Sequence, residues 1–219
     1  MNSKLAVIVG AGPGVGNHVA KKFGENGFRI VLISRNPNSL EQYVDELRAL
    51  GIEAHGVAGD AGSTESLQAA FAQVKQHHGV TDVLVYNAAV LGGGKPTSLT
   101  AETLIRHLQV DVAGALTSAL QVVPDQTERQ DGTILFTGGA LSLYPSANYA
   151  SLSIGKAAMR NLALSLAEEL SPQGIFVGTV TIAGQVKPGT NFDPARIAEL
   201  YWDLYETREK HEIVFTGKE

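Results

Sequence analysis

Leu5-Ala6-Val7-Ile8-Val9-Gly10-Ala11-Gly12-Pro13-Gly14-Val15-Gly16 is the stretch on which the reading of this chain turns. Its first five residues are apolar without alternation, which predicts a short strand buried on both faces. Glycines follow at once, and apolar residues then recur at Val15, Val19 and Phe23, the spacing of one helix face. A glycine cluster between strand and helix permits a tight turn, lets backbone approach a pyrophosphate, and turns the helix N-terminal N–H groups toward phosphate. Gly10, Gly12, Gly14, Val15 and Gly16 are therefore candidate dinucleotide-contacting residues, supported by the strand–turn–helix context that a bare glycine spacing lacks. A βα turn without a ligand is the plain alternative, and it leaves the four glycines between Gly10 and Gly16 without a purpose.

Working outward, short β-branched runs alternate with segments of helical period. The candidate strands are Leu5 to Val9, Arg29 to Ile33, Glu53 to Val57, Asp82 to Tyr86, Thr133 to Thr137, Ile175 to Thr181 and Glu212 to Phe215. Leu67, Ala70, Phe71 and Val74 mark another helix face. Asn36-Pro37, Ser63 and Thr100 read as helix starts, and Gly27, Gly51 and Gly79 as stops. No repeat, low-complexity tract or linker interrupts the pattern. Residues 1–219 thus read as one α/β domain with a doubly wound parallel sheet, a length that suits one core and is short for two.

Composition narrows the function classes. The 24 glycines exceed the usual share without a collagen period, so they ask for turns. The absence of cysteine rules out disulfides, thiolate zinc sites and a cysteine nucleophile, and suits a cytoplasmic location. A net charge of -5 with no Lys/Arg cluster argues against nucleic acid. The apolar run at Leu5 to Val9 breaks into glycines with no small-x-small cleavage site, so it does not read as a signal peptide. No apolar run nears the roughly 20 residues that a membrane span needs, so neither secretion nor a membrane is expected. The six histidines form no H-x-x-x-H or H-E-x-x-H pattern, and His77-His78 reads as a helix end, so no metal is expected.

The second strand ends in Ser34-Arg35, where an NAD-binding chain would place a carboxylate for the ribose 2′-hydroxyl. A neutral Ser34 beside the permanently cationic Arg35 suits a 2′-phosphate instead, which predicts NADP(H). Arg35 as a solvated strand end is the alternative. The segment from about Ser151 to Leu170 is apolar around most of its girth and needs more cover than one sheet face provides. A subunit interface, hence a homodimer or homotetramer, is the favoured source of that cover, against wholly intramolecular burial.

The G-x-x-x-G-x-G spacing of Gly10, Gly14 and Gly16, the run Tyr86-Asn87-Ala88-Ala89, Asp60 after the third strand and Ala183-Gly184 after the sixth resemble the short-chain dehydrogenase/reductase family over nearly the whole chain. The resemblance implies a Rossmann fold with strand order 3-2-1-4-5-6-7. It places Asp60 near the adenine, Asn87-Ala88 in the family's strand-end signature, and Gly184 beside the nicotinamide. The implied chemistry is hydride transfer between nicotinamide and a small carbonyl or alcohol substrate. In the family a tetrad of Asn, Ser, Tyr and Lys assists, with Tyr as acid/base.

Only one member of that tetrad is retained. Lys156 falls on the Lys position, which puts Tyr at Leu152, Ser at Gly139 and Asn at Asp111. Tyr149 lies three residues before Leu152 and is the candidate surrogate acid, with Tyr144 and Ser142 in the preceding loop as further candidates. Asp111 is a candidate proton-relay group beside Lys156, or merely its ion-pair partner. The substrate-side segment, about 184–210, carries Phe192, Tyr201, Trp202 and Tyr205, readable as an apolar lid or as a helix packed on the sheet. Gly92-Gly93-Gly94 is a candidate mobile loop at the pocket mouth. Two functions follow: a divergent oxidoreductase, or a catalytically silent NADP(H)-binding or sensing protein acting as an oligomer.

Overall fold

Strands β1 (Leu5–Val9), β2 (Arg29–Ser34), β3 (Ala54–Ala58), β4 (Val83–Tyr86), β5 (Gly132–Gly139), β6 (Ile175–Ile182) and β7 (Glu212–Phe215) pair in parallel in a computed structural model that describes residues 3–218. Their order is β3-β2-β1-β4-β5-β6-β7, as the family resemblance implied. Successive strands run outward from β1 in one direction to β3 and in the other from β4 to β7. A crevice opens at this reversal, beyond the carboxyl ends of β1 and β4.

Both sheet faces are covered, which is why the strands read as continuous apolar runs. Val7, Val9, Val31, Ile33, Leu84 and Ile134 face a core shared with helices α3 (Thr64–His78), α5 (Gly114–Arg129) and α6 (Ala150–Leu170). Ala6, Ile8, Ile30, Leu32, Val83 and Val85 face the opposite core, built with α1 (Val15–Glu25), α2 (Pro37–Ala49) and α7 (Pro194–Thr207). Adjacent strand residues thus feed different cores, each fully buried Val, Leu or Ile contributing about 1.5–3 kcal/mol.

Helix limits follow the expected chemistry. The Asn36 side chain accepts from the Asn38 and Ser39 N–H groups, Ser63 from Ser66, and Thr100 from Thr103, the last opening α4 (Ala101–Leu108). The stops at Gly27, Gly51 and Gly79 all take left-handed backbone, with φ of 85°, 78° and 93°. Between α4 and α5 lies a π-helical turn, Gln109–Ala113, which carries the buried Asp111. Such turns interrupt a helix and redirect one side chain.

One strand boundary needs correcting, and packing decides between the two readings of the aromatic segment. β5 does not stop at Thr137 but continues through Gly138 and Gly139, paired with Thr181 and Ile182 of β6, so the ladder carries two glycines. The aromatic residues of α7 form no lid. Trp202 and Tyr205 pack edge-on against Phe23 of α1, with ring centroids 5.3 and 5.5 Å apart, and Phe192 meets Phe215 of β7. The packed-helix reading holds because α1 supplies an apolar face for these rings. Among the described residues, no helix is long and apolar enough to cross a membrane.

Candidate functional site

A cavity of about 1010 Å³ opens over the carboxyl ends of the strands. At one end it is floored by the glycine turn. Gly10, Gly12, Gly14 and Val15 line it, whereas Gly16 sits just behind. The four glycines divide into two kinds. A Cβ on Gly10 would overlap the Ala88 backbone, and one on Gly16 would lie 2.8 Å from the Gly10 carbonyl oxygen. Gly10 also needs its positive φ of 90°. By contrast, a Cβ on Gly12 or Gly14 would meet nothing within 4 Å. Fold packing accounts for the first pair, whereas no packing contact requires glycine at the second, which leaves backbone open to the cavity. Gly14 precedes helix α1 without a side-chain cap; the Asn17 N–H donates to the Gly12 carbonyl at 3.2 Å, and the N–H groups of Val15 and Gly16 at the helix start have no side-chain acceptor. These features fit a dinucleotide pyrophosphate.

Ser34, Arg35 and Asp60 line the adjoining part of the cavity at the ends of β2 and β3. Arg35 Nε stands 4.0 Å from Asp60 Oδ1, with the two side chains 74% and 49% exposed. An ion pair that loose and that exposed contributes little, which leaves the guanidinium free to turn to an anionic ligand. Asp60 Oδ1 accepts from the Gly62 N–H at 2.9 Å, which fixes the carboxylate at the start of the turn into α3.

The centre of the site is held by hydrogen bonds. Asn87 Nδ2 donates to the Gly10 carbonyl at 2.9 Å, and the Thr137 hydroxyl donates to Asn87 Oδ1 at 2.9 Å. Lys156 Nζ donates to the Thr137 carbonyl at 2.6 Å. Asn87, Ala88, Thr137, Lys156 and Gly184 all line the cavity. Thr137 is a site residue that the sequence reading leaves out; the available signal was a polar residue after the apolar run Ile134-Leu135-Phe136.

Gly139 and Leu152 line the cavity next to Lys156, so the positions expected to have lost their hydroxyls do face the site. Leu91, Leu141 and Val186 extend an apolar wall around them. The lining residues that ionise are Arg35 and Asp60 at one end, and Lys156 and Tyr144 at the other. Tyr144 is exposed. Tyr149 stands outside the lining, half exposed, with its ring 3.9 Å from the position of a Cβ on Gly93. The Gly94 N–H donates to the Asn148 carbonyl and the Ala150 N–H to the Gly94 carbonyl, so the glycine loop at the mouth is tied to the start of α6.

Burial brings the Lys156 ammonium down to about 8, with the Asp111 carboxylate pulling in the opposite direction. Asp111 lies behind the cavity wall rather than in it. Burial raises its carboxyl above the usual range, while the Val90 N–H, Lys156 and His107 draw it partly back. Its Oδ1 accepts from the Val90 N–H at 2.8 Å, and its Oδ2 is buried without a hydrogen-bond partner. Asp111 thereby supports the loop that follows Asn87. Among the described residues, no group of three or more His, Cys, Asp or Glu is placed to hold a metal ion.

Residues 4–193 match the family described as short chain dehydrogenase. A relative from Streptomyces coelicolor whose name includes the words "ketoacyl reductase" is 31% identical over 212 residues, covering 94% of this chain and 78% of its own. Oxidoreductase UcpA of Salmonella typhimurium is 29% identical, over 82% of this chain and 68% of its own. Among solved structures, a metagenomic short-chain oxidoreductase in complex with NADP is 25% identical, with a TM-score of 0.84 over 96% of this chain and 95% of that one. LigD from Sphingobium sp. strain SYK-6, in its apo form, is 27% identical, with a TM-score of 0.88 over 96% of this chain and 88% of that one.

Proposed function

Because the chain belongs to the short-chain dehydrogenase family, we propose that it is an NADP(H)-dependent oxidoreductase for a small carbonyl or alcohol substrate, with a site stripped of the usual Tyr and Ser. The observation that carries the cofactor half is the open approach at Gly12 and Gly14 beside an uncapped helix start. Arg35, with Ser34 rather than a carboxylate beside it, favours a 2′-phosphate through a charge-assisted, forked contact. The NADP in the metagenomic relative is in keeping with this choice.

When bound, the dinucleotide supplies or takes up a hydride. This chain's residues provide the rest. Gly10, Gly12, Gly14 and Val15 seat the pyrophosphate with Gly16 packed behind them, Asp60 borders the adenine, and Asn87, Ala88, Lys156 and Gly184 border the nicotinamide half. Lys156 carries a positive charge into an apolar wall and steadies negative charge that develops on a substrate oxygen. Leu152 presents an aliphatic wall and Gly139 no side chain, so neither moves a proton. A phenol is the missing proton donor, and general acid/base help is worth roughly 10² to 10⁴ in rate. Tyr149 is the surrogate expected from spacing; Tyr144 is the phenol in the cavity wall. Asp111, buried near Lys156, sets the charge balance of that pair.

The loss of both hydroxyls favours a second reading, an NADP(H)-binding or sensing protein without turnover. Ile105, Leu116, Leu120 and Ile154 expose aliphatic side chains on α4, α5 and α6, an apolar face for a second copy in a homodimer or homotetramer. A cytoplasmic location belongs to the same proposal. Titration with NADPH and NADH, followed by nicotinamide fluorescence, tests the cofactor. A panel of carbonyl substrates with Tyr144→Phe and Tyr149→Phe then separates the two functions: turnover supports the enzyme, and tight binding with no turnover supports the sensor.

A further inference from the structure

Tyr201, one of the aromatic residues on the substrate-side segment, is fully buried and directs its hydroxyl to Thr137 Oγ1 at 2.6 Å. We infer that Tyr201 is a positioning residue for the glycine turn, acting through Thr137 and Asn87 on the Gly10 carbonyl, and so sets the affinity for the dinucleotide; this rests on the cofactor reading above.

The direction of every bond in this chain is forced from one end. A carbonyl oxygen only accepts, so Asn87 must present Nδ2 to Gly10. That leaves Asn87 Oδ1, also only an acceptor, facing Thr137, whose single hydroxyl proton must go to it. Thr137 Oγ1 then has only lone pairs to offer, and Tyr201 must be the donor. Burial raises the Tyr201 phenol above its ordinary 10, so it stays a donor at working pH.

The far end of the chain is mechanically tight. A Cβ on Gly16 would lie 2.8 Å from the Gly10 oxygen and 3.1 Å from Asn87 Nδ2, so the start of α1 packs directly on the last bond. A rotation of the Asn87 amide would displace the helix start that faces the phosphates. The Thr137 carbonyl meanwhile holds Lys156 Nζ, so one residue anchors both halves of the site. Tyr201 itself stands outside the cavity lining, and its effect on a ligand must pass through Thr137.

The test is a double-mutant cycle on NADPH affinity, read by nicotinamide fluorescence, with denaturation midpoints measured in parallel. Tyr201→Phe keeps the buried ring and removes only the hydroxyl; we expect it to weaken NADPH about five- to tenfold. Thr137→Val is expected to weaken it at least as much, and the double variant no further than Thr137→Val alone, because the chain is already cut. Thr137→Ser, which keeps the hydroxyl, is expected to recover most of what Thr137→Val loses. Unchanged affinity in Tyr201→Phe, additive losses in the double variant, or a Thr137→Ser no better than Thr137→Val would each overturn the inference. Should Thr137→Val fail to fold, the Asn87 side-chain amide resonances of free Tyr201→Phe protein decide, and their staying in place overturns it. A wild-type protein that binds no dinucleotide overturns the cofactor reading and this inference together; one that binds, with Tyr201→Phe binding equally, overturns the relay alone.

Discussion

Gly139 runs beside the stem of Lys156: a Cβ built on Gly139 would stand 3.8 Å from Lys156 Cγ and 3.9 Å from its Cδ and Cε. The Gly139 backbone is extended, with φ -159°, a conformation open to any residue. Room for a Cβ is therefore present at the position where the family resemblance places a serine. A Cβ at Gly139 fits at ordinary contact distance, and Leu152 lies on the same wall. We expect the Gly139→Ser/Leu152→Tyr double variant to gain roughly 10² to 10⁴ in kcat/KM for carbonyl reduction, measured by NADPH oxidation. No gain, with cofactor affinity retained, would show that the remaining wall no longer positions a carbonyl.

Arg35 sits at the mouth with only a loose, exposed carboxylate neighbour, Asp60. Arg35→Ser should weaken NADPH by about ten- to hundredfold and leave NADH nearly unchanged, since only the former offers a 2′-phosphate to a charge-assisted pair. Fluorescence titration with both nucleotides checks this, and equal losses for the two would reject the assignment of Arg35 to the phosphate.

Lys156 titrates near 8 when folded against an ordinary 10.5. The unfolded chain therefore binds more protons between those two values, so the Lys156 contribution to stability increases as pH rises from about 8 to 10.5. Across that window, wild-type protein should gain on the order of 3 kcal/mol over Lys156→Met, whose missing ammonium removes the effect. Urea denaturation of both proteins at several pH values measures the difference, and parallel curves would contradict it.

Gly155 is the place where α6 meets Asp111, and a Cβ there would overlap Asp111 Oδ2. Overpacking of this kind costs about 1–3 kcal/mol. Gly155→Ala should destabilise by that amount in a denaturant titration, and by less in an Asp111→Ala background, where the overlap with Oδ2 is removed and only the 3.0 Å approach to the Cβ at position 111 remains. Equal costs in the two backgrounds would mean that the helix shifts freely.

Leu120 is 54% exposed on α5 and Ile154 is 42% exposed on α6. Leu120→Glu and Ile154→Glu should leave the monomer folded and reduce the proposed homo-oligomer to the sedimenting mass of one chain; wild-type protein that already sediments as one chain would reject the oligomer itself. An unchanged assembly in both variants would place the interface elsewhere.

Much of this molecule was legible before any tertiary contact was known. Strand identity at Leu5–Val9, the caps at Asn36, Ser63 and Thr100, and the left-handed stops at Gly27, Gly51 and Gly79 depend on backbone geometry and bonds within a few residues. Gly139 and Leu152 were placed by the family resemblance, whose fixed tetrad spacing counts back from Lys156, and both line the cavity. The partner on the far side of a face is another matter. Helical spacing puts Tyr201 and Tyr205 together but says nothing of whether solvent, a ligand or α1 covers them; packing sent one hydroxyl to Thr137 and the other ring to Phe23. It also decided that Tyr144 faces the cavity while Tyr149 does not, and that β5 continues through two glycines. Each of these turns on atoms far apart in the chain, as in the pairing of Thr137 with Asn87 and Tyr201, and only the fold brings them within reach.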